Sequence, residues 1–277
     1  MAEAQVSSVK TIGRAAMVLR ALAAGPADGS RLTDIAAATE LGKATVHRLL
    51  GALAEVGFVD FDDQEKRYRL GYALFALGAS ARAFHVVDLA RPGLMRLAAE
   101  TGDTVYLSVR DGDEAICVDR RTGSFPIRTL TLDVGDRRPL GIGAGSLALL
   151  AFENEAEITR VIRTNAHARR DYAAFDDTTL HTLITQARAQ GYAFNDGNIV
   201  SAMSAIGVPV IDDAGRVLAA LSIAAIRERF AGKRLAELVG LLQGEARELA
   251  GALAQASLAP AEQAARARRT RIREDVA

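Results

Sequence analysis

Five residues, Lys43, Ala44, Thr45, His47 and Arg48, fall within six positions that hold no acid; the next acid is Glu55. Two cations, an imidazole and a hydroxyl among small neighbours suit close approach to a nucleic-acid groove. There cations meet phosphates, and hydrogen-bonding side chains meet base edges. A second stretch, Pro139-Leu140-Gly141-Ile142-Gly143-Ala144-Gly145-Ser146, runs three glycines into an apolar helix of residues 147–152. Bare amides at a helix start attract an anion, although a glycine-rich turn also serves simply as a turn. It is no dinucleotide fingerprint, because no G-x-G-x-x-G follows a strand. A third group joins Asn195-Asp196-Gly197-Asn198 to Ser222. Polar side chains at strand ends can orient a small molecule in an apolar cavity; the alternative is plain turn chemistry. Catalysis finds less support. Cys117, His85, His167, His181 and Asp196 show no local pairing of nucleophile and base. Cys117 in Ala-Ile-Cys-Val reads as a buried strand residue. One cysteine and four histidines give no zinc spacing. No catalytic residue, metal or cofactor is therefore expected.

The groove-facing residues need a helix to carry them. Val46, Leu49, Leu50 and Leu53 recur at i, i+3, i+4 and i+7, so they share one buried face and leave the cations outside. Thr11 reads as the N-cap of a preceding helix that ends at Gly25-Pro26, and Thr33 as the cap of a short helix holding Ile35 and Ala36. Leu41-Gly42 breaks the chain before the third helix, and Gly57 stops that helix. Residues 58–61 then read as a strand, 62–65 as a turn and 66–70 as the returning strand. The order is that of a winged helix-turn-helix. Lys66, Arg67 and Arg69 on the return strand are placed to reach the DNA backbone beside the groove. The plainer alternative is a three-helix core with a solvated basic stretch.

The run Ser8-Val9-Lys10-Thr11-Ile12-Gly13-Arg14-Ala15 resembles the N-terminal signature of the IclR family of transcriptional regulators. So does Lys43 to Leu50 continuing through Gly57-Phe58-Val59, and then Tyr68-Arg69-Leu70-Gly71. The resemblance implies double-stranded operator DNA as partner, with Arg14, Thr45, His47 and Arg48 at the DNA. It also implies that the apolar stretch of residues 72–84 is a linker helix whose surface a partner subunit covers. A dimer, or a dimer of dimers, is the assembly expected.

From Asp103 onward the pattern turns to strands: residues 104–109 and 115–118 about the turn Asp111-Gly112-Asp113, then 127–132, 205–211 and 217–225. Helical segments at 88–101, 145–152, 155–164, 177–190 and 233–256 complete an α+β pattern. It resembles the GAF-like effector-binding domain of the same family. The resemblance places Gly143, Ala144, Gly145, Ser146, Asp196 and Ser222 at an effector. The sequence departs from the family pattern where Ser146 and Leu147 stand for the usual Gly-Lys pair. Ala205 and Ala224 stand where some relatives have a thiol and a second hydroxyl. A less polar pocket follows, and the expected effector is a carboxylate-bearing or aromatic catabolite.

The predicted organisation is therefore residues 1–71 for DNA, 72–87 as linker, 88–257 for the effector and 258–277 as a basic, flexible tail rich in arginine. Formal net charge is zero, and residues 1–85 hold ten Lys/Arg against nine Asp/Glu. Placement of charge, not its sum, carries the DNA reading. No apolar signal core and no run of 18 apolar residues is found, so a cytoplasmic protein without membrane contact is expected. Together these features predict a ligand-responsive repressor of a catabolic operon. Two alternatives stay open: a metabolite-transforming enzyme joined to a helix-turn-helix, and a constitutive DNA-binding protein without an effector.

Overall fold

The computed structural model describes residues 2–80, 85–128 and 131–274, with side chains described for 10–78, 86–128 and 131–256. The chain divides into two compact units, Met1–Phe84 and His85–Ala277.

In the first unit, helices α1 (Ala2–Ala24), α2 (Leu32–Thr39) and α3 (Lys43–Glu55) precede a two-stranded antiparallel wing, β1 (Val59–Asp62) and β2 (Arg67–Leu70). Helix α4 (Tyr72–Ser80) follows. The core joins Val18 and Leu22 of α1, Ile35 of α2, the four aliphatic residues of α3 and Val59 of the wing. Helix α1 starts nine residues before the expected cap at Thr11, because residues 2–10 contain neither glycine nor proline to stop it. Thr33 is likewise inside α2. Arg31 occupies the cap position, and the Asp34 carboxylate accepts from the Arg31 backbone N–H at 3.3 Å.

The second unit is built on a six-stranded sheet of order β5-β4-β3-β8-β7-β6, antiparallel at every pairing. Its strands are β3 (Thr104–Asp111), β4 (Glu114–Thr122), β5 (Arg137–Pro139), β6 (Ala193–Asp196), β7 (Met203–Ile211) and β8 (Val217–Ile226). Helices α5 (His85–Thr101) and α9 (Lys233–Glu274) cover one face through Leu94, Leu97, Leu238 and Leu242. Helices α6 (Ala144–Ala151), α7 (Glu155–Thr164) and α8 (Asp177–Gln190) cover the other. Period-two alternation along β8 divides the faces: Ala219, Leu221, Ile223 and Ala225 meet α5 and α9, while Ala220, Ser222 and Ala224 turn the other way.

Three expectations are corrected here. Residues 127, 128, 131 and 132 are not in a strand, and 129–130 lie outside the described residues. The edge strand is Arg137–Pro139 instead, paired to β4. Strand β6 was not expected at all. Helix α9 continues through the stretch read as a flexible tail, to Glu274, as its Ala, Leu, Glu and Arg content favours. The tail's arginine side chains lie outside the described residues, as do residues 81–84 of the linker.

Candidate DNA interface and effector cavity

On α3, Val46 and Leu50 are fully buried and Leu49 and Leu53 nearly so. This leaves Lys43, Ala44, His47 and Arg48 exposed and Thr45 half-buried. Arg14 on α1 is exposed too. None of Arg14, Lys43 and Arg48 forms an ion pair with another described residue, so their charge is available to a polyanion. The arginines of the wing differ. Arg67 Nη1 donates to the Gly29 carbonyl at 2.6 Å and sits 3.3 Å from Asp28 Oδ2. Arg69 Nε donates to the Asp28 carbonyl at 3.0 Å, and its Nη2 lies 3.3 Å from Asp62 Oδ2. Both were expected to reach the DNA backbone; the bonds anchor each guanidinium on the connection between α1 and α2 that passes alongside β2, with Arg67 partly buried and Arg69 still exposed.

The two ligand stretches read from the sequence meet in one cavity of about 60 Å³ in the second unit, between the sheet and the start of α6. Gly143, Ala144, Gly145, Ser146 and Ser222 all line it. Two glycines make the meeting possible. At Gly207 on β7 a Cβ would lie 2.3 Å from the Ala144 carbonyl oxygen, so only a bare backbone lets the first turn of α6 sit on the sheet. Gly143 has φ +88°, a conformation that favours glycine, and caps α6. A Cβ on Gly145 would come within 3.0 Å of Ser222 Oγ and 3.3 Å of Ser108 Oγ, so the first turn of the helix leaves both hydroxyls uncovered.

Two expected residues have other roles. Asp196 does not line the cavity. Successive β6 side chains point to opposite faces: Ala193 packs with α6 and α8, and Asn195 lines the cavity. Phe194 faces Phe230 on the other side, and Asp196 follows it. Its Oδ1 accepts from Ser204 Oγ at 2.6 Å and from Arg227 Nε at 2.8 Å. The Ser204 bond chiefly, then Arg227, holds its carboxyl below the usual aspartate range. Ser146 lines the cavity, but its Oγ accepts from the Gly141 N–H at 2.9 Å and lies 3.3 Å from the Pro139 carbonyl, which fixes the turn.

The sequence reading missed Arg138, Ser108 and Tyr106, all lining the cavity, and named Asn195 only as part of the 195–198 turn, with Asp196 chosen in its place. Their signal was positional: each falls on the inner face once register is known. Tyr106, on β3, stands beside Ser222 on β8, which also pairs with Gly207 on β7. Cys117 lines the cavity as well, and burial pushes its thiol up to about 12, far from a reactive thiolate. His167 and His181 are exposed and do not line it. The His85 side chain lies outside the described residues.

A helix with outward cations on a wing-bearing three-helix core, followed in the chain by an α+β unit with a polar-lipped cavity, defines a DNA-binding transcription regulator of the sensing type. The family described as "Bacterial transcriptional regulator IclR C-terminal" matches residues 78–250, and "IclR helix-turn-helix domain" matches residues 11–63. The chain belongs to the IclR family of transcriptional regulators. It is 29% identical over 249 residues to the HTH-type transcriptional regulator KdgR of Escherichia coli (strain K12), covering 88% of this chain and 93% of that one. It is 30% identical over 231 residues to the HTH-type transcriptional repressor AllR of Salmonella paratyphi A, covering 81% and 83%. Among solved structures, an IclR-type regulator from Alicyclobacillus acidocaldarius superposes with a TM-score of 0.73 at 29% identity, covering 87% and 98%. An IclR homolog of Microbacterium hydrocarbonoxydans, complexed with 4-hydroxybenzoate, shares the fold with a TM-score of 0.70 at 22% identity, covering 87% and 98%.

Proposed function

We propose that this regulator is a repressor of a catabolic operon, that it grips a two-fold operator in the cytoplasm as a dimer or dimer of dimers, and that a small organic acid or aromatic catabolite controls it from the cavity at the start of α6. The observation that carries the reading is the meeting of the glycine-rich turn with Ser222 in one cavity of mixed polar and apolar lining. Residues 1–71 would bind DNA, 72–87 link the units and 88–257 hold the effector. This division is supported by the two compact units and by the two family matches. Arg14, Lys43, Thr45, His47 and Arg48 are the DNA contacts proposed. The 4-hydroxybenzoate complex of a homolog is the reason to keep aromatic acids among the candidates. The apolar surface of α4, where Tyr72 and Phe75 are 86% and 75% exposed, supports self-association.

An effector acts only by preferring one arrangement of the recognition helices to another. The test is a gel-shift titration on DNA upstream of the regulator's own gene, at fixed salt, with and without a panel of organic and aromatic acids. Specific retardation that one class of acid changes is expected. Retardation that no compound alters, with no rise in melting temperature, would leave a constitutive DNA-binding protein.

A further inference from the structure

Arg138 is the one cation that lines the effector cavity among the described residues. Its Nη2 donates to the Thr131 carbonyl at 2.7 Å. Its Nη1 lies 3.2 Å from where a side chain on Gly143 would begin, so the absence of one leaves the guanidinium open toward the start of α6. No described carboxylate pairs with it. The nearby acids Asp111 and Glu114 are taken by Arg137, the neighbour that faces outward on β5. Asp136, which shares the cavity wall, accepts instead from the Asp133 N–H at 2.7 Å. Burial pushes the Arg138 guanidinium below its ordinary pKa, and Tyr172, Tyr106 and Asp136 only partly offset that.

Asn195 supplies an independent demand. It is 6% exposed, and its Oδ1 is buried without a hydrogen-bond partner. The other unpartnered buried atoms among the described residues are Nε atoms of Arg121, Arg169 and Arg234, whose terminal nitrogens are bonded. A buried amide oxygen left alone is costly, which favours a bound group that can satisfy it. A hydroxyl serves whichever way the amide is turned, since it both donates and accepts. Size narrows the class further. The inner space of about 60 Å³, open on one side, suits a short acid better than a ring, for which a closed cavity of roughly 150 Å³ is needed in the case of benzene.

We propose that the effector is a short-chain hydroxycarboxylate, its carboxylate held by Arg138 and the first amides of α6 and its hydroxyl by Asn195. The planar guanidinium matches a carboxylate edge to edge, and the helix start adds further donors. This rests on the sensing function proposed above and assigns its ligand class and two specificity residues.

The full chain is to be titrated, by calorimetry and by melting temperature, with glycolate, lactate and glycerate. Acetate and propionate serve as matched acids without the hydroxyl, lactamide as the uncharged partner, and inorganic phosphate and 4-hydroxybenzoate as competing classes. At least one hydroxycarboxylate should bind, with its deoxy partner at least tenfold weaker and lactamide silent. Arg138→Gln should weaken it at least tenfold and Arg138→Lys less. Asn195→Leu should erase the preference for lactate over propionate. Unchanged circular dichroism and DNA retention would show that each variant is folded. Binding that is indifferent to Arg138→Gln, or to the hydroxyl, would overturn the assignment. So would response to phosphate or 4-hydroxybenzoate alone, although sensing itself would then stand. Silence from every compound would remove both.

Discussion

Arg67 spans 38 residues of sequence to place its Nη1 2.6 Å from the Gly29 carbonyl, with Asp28 Oδ2 3.3 Å away. Backbone bonds between Ser30 and Tyr68, at 3.0 and 2.9 Å, fasten the same two stretches. The wing is thus tied to the connection between α1 and α2, and Arg67 works inside its own unit. Arg67→Ala should lower the unfolding free energy by about 1 kcal/mol, less than a fully buried charged hydrogen bond because the side chain is partly solvated. Urea denaturation of the full chain measures it. Unchanged stability with lost operator affinity would return Arg67 to the DNA.

Arg48 should behave in the opposite way. It is exposed on α3 and pairs with no described acid, so Arg48→Ala should leave stability within about 0.5 kcal/mol. Specific operator binding should weaken by about 1–3 kcal/mol if the side chain reads a base edge. Lys43→Ala, by contrast, should weaken all sequences alike and reduce the slope of log affinity against log salt by about one. Gel-shift titrations at several salt concentrations separate the two. Equal losses on operator and random DNA for Arg48→Ala would make it a phosphate contact only.

Gly207 lets the first turn of α6 close over the cavity proposed for the effector. Its missing Cβ leaves 2.3 Å to the Ala144 carbonyl oxygen and 2.9 Å to the Gly145 nitrogen, both backbone atoms with little room to move. Gly207→Ala should cost about 1–3 kcal/mol by overpacking and shift α6 off the sheet, so effector binding should fall with stability. A variant as stable as the parent and fully responsive would show that the contact relaxes freely.

The first unit was legible because local rules dominate it. The aliphatic spacing of Val46, Leu49, Leu50 and Leu53 is a property of one helix, and all four are buried. Gly25-Pro26 ended α1 as read, while the absence of any breaker in residues 2–10 let its start run earlier than Thr11. The cavity was half legible. Glycines before α6 and the hydroxyl of Ser222 announced themselves by type. Asn195 and Asp196 could not be told apart, because a one-residue difference on a strand exchanges faces and the short β6 gave no alternation to fix the register. Arg138 was hidden for a related reason. Beside Arg137 it looks like half of a charged edge, and only the pairing of β5 to β4 turns one arginine out and the other in.

Acid should loosen the second unit at one identifiable joint. Glu157 on α7 accepts from Arg160 Nε and Nη2, both at 2.8 Å, and from Arg110 on β3. Arg160 also bonds Asp113, so the cluster ties the β3–β4 hairpin to α7. The bonds from Arg160, then Arg110, hold the Glu157 carboxyl at about 2, below its ordinary 4.5. The folded state therefore binds the proton less readily than the unfolded chain. The contribution is complete above about pH 4.5 and drains away as pH falls toward about 2. Glu157→Gln should lower the melting temperature at pH 7, with the gap to the parent closing below pH 4.5. A gap constant across that range would mean that the ion pairs contribute nothing and only packing was lost.

Cys117 gives a final, chemical check on the cavity. Its thiol lies against Tyr106 and Ala224 and is 2% exposed, with Sγ donating to the Asp119 carbonyl at 3.6 Å. Burial, the largest influence, pushes its pKa up to about 12, and the nearby Arg120 only partly offsets that. At pH 8 almost no thiolate is present, and the sulfur is shielded as well. A disulfide reagent such as Ellman's should therefore label the native protein on the timescale of unfolding and no faster, and label it at once in denaturant. A ligand seated in the cavity should slow native labelling further, in proportion to the stability that it adds. Rapid labelling of the folded protein would mean that the wall formed by Tyr106, Cys117 and Ala224 opens readily. The cavity would then be wider in solution than 60 Å³, and aromatic acids would gain on short-chain ones.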